Sequence, residues 1–332
     1  MSTVRRLGFV VASLLATGCE GQRFEPDPYD VDFDIPRSES FPQQLSAYGV
    51  FEEPMASLRP GERVVPYELS SELFTDYAEK QRLLRLPIDE VITIRDDGAL
   101  EYPDGAVLVK TFFYPSDMRN PAASRRILET RLLVKNAGQW NAATYLWNDA
   151  QTDATLLLDG TTTTVSWLDE SGQSRTTDYV VPHEGECVTC HQSDDEVVFI
   201  GPTLRNLNRA VERDGSELNQ LDHLQAQGIL ADVEAASASS VPDYKDASLS
   251  LTDRARAYLD INCAHCHSPG RWDEAARRDL DLRYATSLDQ TGLTDKPDRV
   301  ARQLRDGTMP YLGTTLRHDE GVELVLEYLQ NL

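Results

Sequence analysis

The chain has 332 residues, with 55 acidic against 32 basic side chains and a formal net charge of −23. That balance excludes nucleic-acid binding, which needs cations to neutralise phosphates, and argues against an anionic membrane surface. It suits plain solubility, a saline habitat or a basic partner protein, because charge acts on association rather than on fold.

The N-terminus reads as an export signal. Arg5 and Arg6 precede a short apolar run, residues 7–16, and the small pair Thr17-Gly18 precedes Cys19. About ten apolar residues are half of what a membrane span requires. Gly8 stands where a twin-arginine signal prefers an aromatic residue, so the general secretory route is expected. Leu15-Ala16-Thr17-Gly18-Cys19 reads as a lipoprotein cleavage box, with Ala16 in place of the more usual leucine. The expectation is a signal peptide over 1–18 and lipidation at Cys19, with a plain secreted protein as the alternative. The mature chain then lies in the periplasm or cell envelope, held to a membrane by its lipid anchor. Glu20, where an aspartate signals retention at the inner membrane, favours the outer membrane. Residues 19–44 are polar, acidic and proline-bearing, and read as a tether.

Residues 45–200 are strand-like. Segments 107–114, 126–134, 142–147, 154–158, 162–168 and 176–181 are β-rich, and Asn136-Ala137-Gly138, Asp159-Gly160 and Glu170-Ser171-Gly172 supply turns. Residues 69–77 suggest a short helix. The period then becomes helical. In a connector over 201–245, Ser216 is placed to cap a helix through Leu218, Leu221 and Leu224 that stops at Gly228, and residues 235–240 read as a linker. In 246–332, Thr252 is placed to cap a helix running into Cys263, and Val322, Val325, Leu326 and Leu329 form the apolar stripe of a last helix. The expected architecture is α+β and multidomain: an antiparallel β-rich N-terminal domain followed by an all-α domain.

The five cysteines leave none over for a disulfide or a zinc site. Cys19 belongs to the signal. Cys187-Val188-Thr189-Cys190-His191 and Cys263-Ala264-His265-Cys266-His267 both read C-x-x-C-H, the attachment pattern of c-type haem. Thiols three positions apart on one helical turn reach the two vinyl groups of one haem, and the next histidine lies under the iron. Histidine at the same place twice, in a chain holding six, disfavours a redox C-x-x-C pair or half a zinc site. Two covalently bound haem c groups are expected, with His191 and His267 as iron ligands.

Residues 246–332 resemble a small all-helical cytochrome c domain: a helix into Cys263-Ala264-His265-Cys266-His267, then Thr308-Met309-Pro310, then a closing helix. The resemblance implies that Met309 is the sixth ligand of the second haem; an ordinary core methionine is the alternative. His265 is expected at the surface by the haem edge. Arg302 and Arg305 are either partners of haem propionates or solvated helix charges.

The first site has no methionine after His191 before Met309. His223 is a candidate sixth ligand, although it lies nearly opposite the stripe Leu218, Leu221 and Leu224. Met55 and Met118 are upstream candidates, and His183 is too close to Cys187 to reach the far side. A five-coordinate iron is the other possibility. The strand-rich part, with Pro103-Asp104-Gly105-Ala106-Val107-Leu108-Val109-Lys110 and the run from Cys187 to Phe199, resembles the cytochrome c′-beta superfamily. That superfamily includes gas-binding members and relatives with a lysine–haem cross-link, a role not assigned to Lys110.

As a whole, residues 45–332 resemble a bacterial family of diheme c-type cytochromes of unassigned role. The resemblance rests on residues 67–78, Glu129-Thr130-Arg131, residues 145–149 and residues 254–263. It implies export and two haems. Two haems in an exported chain make electron transfer with a redox partner protein the expected function. An electron carrier is expected rather than an enzyme. The alternative is a haem enzyme or sensor whose open first haem binds peroxide, nitric oxide or hydroxylamine.

Overall fold

The structure is a computed structural model. It describes residues 41–95, 98–183, 191–193, 196–197, 199–271, 279–311 and 313–332, with backbone only at 192–193 and 196–197. The chain is mixed α+β, built around one antiparallel sheet. Its strands are β1 (Val65–Pro66), β2 (Glu79–Arg85), β5 (Val107–Pro115), β6 (Arg125–Asn136), β7 (Gln139–Trp147) and β8 (Ala154–Leu157), in the order β1-β2-β5-β6-β7-β8. Short strands β3 (Thr93–Ile94) and β4 (Leu100–Glu101) pair apart from it, as do β9 (Thr161–Leu168) with β10 (Ser174–Val181) and β11 (Gln192–Ser193) with β12 (Glu196–Val197). The β6–β7 turn is Ala137-Gly138, with φ of 48° and 77°. Positive φ at both positions gives a primed turn, whose twist matches the strands it joins.

Both faces of the sheet are covered, so β5 reads as a nearly continuous apolar run rather than an alternation. On one face Leu83, Val109, Leu132 and Ala143 pair across four strands. They pack with Phe41, Leu45, Tyr48 and Met55. One residue along, Leu84, Leu108 and Leu133 face the other way, into a cluster with Tyr67, Tyr102, Leu221 and Leu224. Farther along that second face Phe112, Tyr114 and Leu146 pack against Val165, Trp167, Tyr179 and Val181 of the β9–β10 hairpin. Between these two apolar clusters runs a polar row, Arg82, Lys110, Arg131 and Thr144, in register across β2, β5, β6 and β7.

The expected strands in 107–181 are present, and two other expectations are corrected. Residues 69–77 are not helical. They form an extended strap whose backbone bonds side chains of other segments. Glu68 N donates to Gln220 Oε1 (2.7 Å), Ser71 N to Asn206 Oδ1 (2.9 Å) and Phe74 N to Asn262 Oδ1 (2.8 Å). Long-range amide partners satisfy the groups that a helix would have satisfied internally. The connector 201–245 is also not helical throughout. Ser216 opens a strand: β13 (Ala210–Arg213) and β14 (Ser216–Asn219) form a hairpin across Asp214-Gly215, whose φ values are 52° and 74°. An Asp-Gly pair specifies this primed turn and overrides the serine cap. Short helix α1 (Leu204–Leu207) precedes the hairpin, and α2 (Gln220–Ala226) follows it, capped by Asn219.

The C-terminal part holds α3 (Leu251–Asn262), α4 (Pro297–Arg305) and α5 (Asp319–Gln330). Ser250, not Thr252, caps α3, accepting from Asp253 N at 3.1 Å. The stripe Val322, Val325, Leu326 and Leu329 is buried against Ala255, Leu259 and Ile261 of α3 and Leu304 of α4. Each such aliphatic side chain contributes about 1.5–3 kcal/mol relative to exposure. Where α5 passes α3, a Cβ on Gly321 would lie 2.2 Å from the Tyr258 ring, so only glycine permits this approach.

Candidate functional site

The second C-x-x-C-H segment continues the end of α3. Cys263 N donates to Leu259 O (3.0 Å), Cys266 N to Cys263 O (3.1 Å) and His267 N to Cys263 O (2.8 Å). These bonds wind one further turn, which brings residues three and four apart onto one face. Both thiols and the imidazole of His267 therefore issue from a single turn. Leu282 N donates to His267 O (2.9 Å) and ties that turn to the following chain.

No disulfide joins Cys263 to Cys266. Burial pushes the Cys263 thiol up to about 12. Burial therefore disfavours the thiolate at Cys263. Cys263 and Met309 pack against the same apolar cluster, formed by α3, α4 and α5. Met309 follows α4 on a loop whose start is held by Thr308 N donating to Gln303 O (3.1 Å). One thiol and one thioether thus meet on the same helical core, and Cys266 and His267 follow Cys263 on its turn. His265 is half-buried rather than exposed, and its Nδ1 is buried without a hydrogen-bond partner among the described residues. Arg302 and Arg305 are exposed on α4.

The first motif is described only at His191, which is half-buried; Cys187 and Cys190 lie outside the described residues, as does Cys19. His223 lies on α2 with its Nε2 3.1 Å from Gln227 Nε2, one turn along the same helix. Met55 is buried in the core on the face of the sheet opposite Lys110, Met118 packs beside the β9–β10 hairpin, and His183 is exposed. Among the described residues, no group of three or more His, Cys, Asp or Glu could hold a metal ion, and no helix is long and apolar enough to cross a membrane.

Two features near the second motif escaped the sequence reading. His318, at the N-terminus of α5, stacks on Phe74 with ring centroids 4.1 Å apart and planes 5° from parallel. Tyr77, Tyr244 and Tyr258 complete an aromatic cage around it, and its Nδ1 lies 3.1 Å from Tyr258 Oη. Desolvation pushes its pKa down to about 4, so it is neutral at pH 7. The second feature is Asp76, which clamps the loop after Met309. Its Oδ1 accepts from Thr315 N (2.8 Å) and Leu316 N (2.8 Å), and its Oδ2 accepts from Thr315 N and Thr315 Oγ1 (both 2.9 Å). Asp76 and Tyr77 both have positive φ, 48° and 65°. Consecutive non-glycine residues in that region persist only where their surroundings over-determine them. No motif announces either feature; each arises from contacts across more than 200 positions of chain.

No family model matches the chain, and no curated protein or solved structure does.

Proposed function

We propose that this chain is an exported diheme c-type cytochrome that transfers electrons to or from a redox partner protein. The carrying observation is the pair of C-x-x-C-H motifs in a chain whose one remaining cysteine belongs to an export signal. The second site supports the reading in its own geometry. Cys263, Cys266 and His267 issue from one turn. Met309 packs on the core that also receives Cys263. This donor set fits a haem: Cys263 and Cys266 would hold it covalently, and His267 and Met309 would ligate its iron. When bound, the haem supplies a one-electron iron couple, whose potential a thioether ligand raises. The residues themselves would hold the group against an apolar cluster, and Asp76 fixes the loop after Met309. An all-α cytochrome c domain over 246–332 belongs to this proposal, as do lipidation at Cys19 and residence in the periplasm or cell envelope.

The test is a pyridine haemochrome of the purified chain. Two c-type haems per polypeptide, retained on a denaturing gel, are expected; one haem, or haem extractable by acid acetone, refutes the reading. For the anchor, Cys19→Ala is expected to release the chain from membranes or leave an uncleaved precursor.

The placement of the remaining candidates favours a second reading for the first haem. His223 is engaged with Gln227, and Met55 is enclosed in the core. Met118 packs beside the β9–β10 hairpin, so each of the three is already engaged elsewhere, which supports an open iron that binds a small molecule such as peroxide, nitric oxide or hydroxylamine. A high-spin ferric signal and carbon monoxide binding after reduction are its signature. Two low-spin haems indifferent to carbon monoxide leave electron transfer alone.

A further inference from the structure

The polar row across the second face of the sheet carries more positive charge than its partners neutralise. Arg131 makes a bidentate pair with Glu129 (2.6 and 2.8 Å), and Tyr179 Oη donates to the same carboxylate at 2.7 Å. Glu129 is fully buried and accepts these three bonds. Arg82 pairs with Glu72 through Nη1 at 2.6 Å. Its Nη2 is buried and has no hydrogen-bond partner among the described residues.

Lys80 and Lys110 remain. Neither makes a hydrogen bond or an ion pair with any described residue. Lys110 Nζ lies over the Phe112 ring, 4.9 Å from its centroid. Both lysines are set deep in the protein yet keep part of their surface open, as groups lining an internal cleft do. Desolvation and the neighbouring cations push Lys80 down to about 8 and Lys110 well below the ordinary lysine value. Among the described residues the surroundings of Lys110 are mainly cationic: Arg82, Lys80 and Arg131 disfavour its charge and Glu72 opposes them. An unpaired buried ammonium costs several kcal/mol, so such a group either gives up its proton or takes an anion beside it, and a bound anion restores its charge.

The position of the row narrows the occupant. It lies between the apolar cluster that takes Val181, at the end of β10, and the cluster that takes Phe199. The first C-x-x-C-H motif falls between those two residues in the chain.

We infer that Lys80, Lys110 and Arg82 Nη2 line a cleft that binds a pair of carboxylates, those of the haem attached at the first motif. The inference of this occupant rests on the proposed haem reading; the anion site itself does not. A free small carboxylate or oxyanion shares the chemistry and is the other source.

The test uses the purified holoprotein with Lys80→Met and Lys110→Met, which keep side-chain length and remove charge. Haemochrome content is measured on every sample. With haem carboxylates in the cleft, each variant lowers one midpoint potential and the melting temperature, because a cation that favoured the reduced iron and paired an anion is gone. Wild-type melting is then insensitive to added acetate or sulfate. With a free anion, acetate or sulfate raises the wild-type melting temperature, and each variant weakens that binding by about tenfold or more, the loss of one charge-assisted bond. If both variants melt at or above the wild-type temperature with unchanged potentials and no anion response, the cleft holds no anion and the inference is overturned. Absence of haem from the wild type overturns the functional reading instead, while the acetate and sulfate titrations still decide the anion site.

Discussion

Replacing Asp76 by alanine tests how the ligand loop is held. The carboxylate accepts from two backbone N–H groups and one hydroxyl, at 2.8–2.9 Å, and all three donors lie on Thr315 and Leu316. A hydrogen bond to a charged group contributes about 1.5–3 kcal/mol, so three at the low end sum to about 4–5 kcal/mol. Relaxation of the loop toward water recovers part of this, and the expected loss is about 3 kcal/mol. Alanine also tolerates the positive φ at this position less well than aspartate does. Asp76→Asn keeps the shape but presents a donor to one side of the cluster, and is expected to lose about half as much. Urea unfolding followed by far-UV circular dichroism measures both. Because Thr315 lies on the loop that carries Met309, Asp76→Ala is also expected to weaken the far-red charge-transfer band of methionine-ligated haem. An unfolding free energy for Asp76→Ala within about 0.5 kcal/mol of wild type would refute the clamp, since that is the scale of a neutral surface change.

Gly321→Ala sets helix propensity, worth about 1 kcal/mol in favour of alanine, against a Cβ 2.2 Å from the Tyr258 ring. Overpacking of this kind costs about 1–3 kcal/mol, so a lower melting temperature is expected, and a higher one shows that α3 and α5 separate freely. His318 is neutral in the fold with a pKa near 4 against an ordinary 6.5, so the unfolded chain binds the proton first. Stability is therefore full above pH 6.5 and declines as the pH falls toward 4. His318→Phe keeps the stack on Phe74 and is expected to flatten that slope; an unchanged slope assigns it to other groups. Met309→Ala is expected to abolish the far-red band and lower one midpoint potential. A band that survives the substitution removes Met309 from the iron.

The proposed chemistry was legible locally, because covalent haem attachment would depend on residues within five consecutive positions. Cys187, Cys190 and His191, and Cys263, Cys266 and His267, could be named without a fold. So could most strands and the α5 stripe, whose periods of two and 3.6 residues are written in apolar spacing. The misreadings fell where local preference met a stronger constraint. At Ser216 the cap lost to an Asp-Gly turn, and at residues 69–77 the strap took its hydrogen bonds from Asn206, Gln220 and Asn262. What surrounds the proposed haems was decided only in three dimensions. Strand register set Arg82 beside Lys110 and Lys110 beside Arg131, three residues that separately read as ordinary surface charges. The Asp76 clamp and the His318 cage join segments more than 200 positions apart. A buried charge or a desolvated imidazole acquires its properties from neighbours that sequence distance conceals, so these features exist only once the chain has closed on itself.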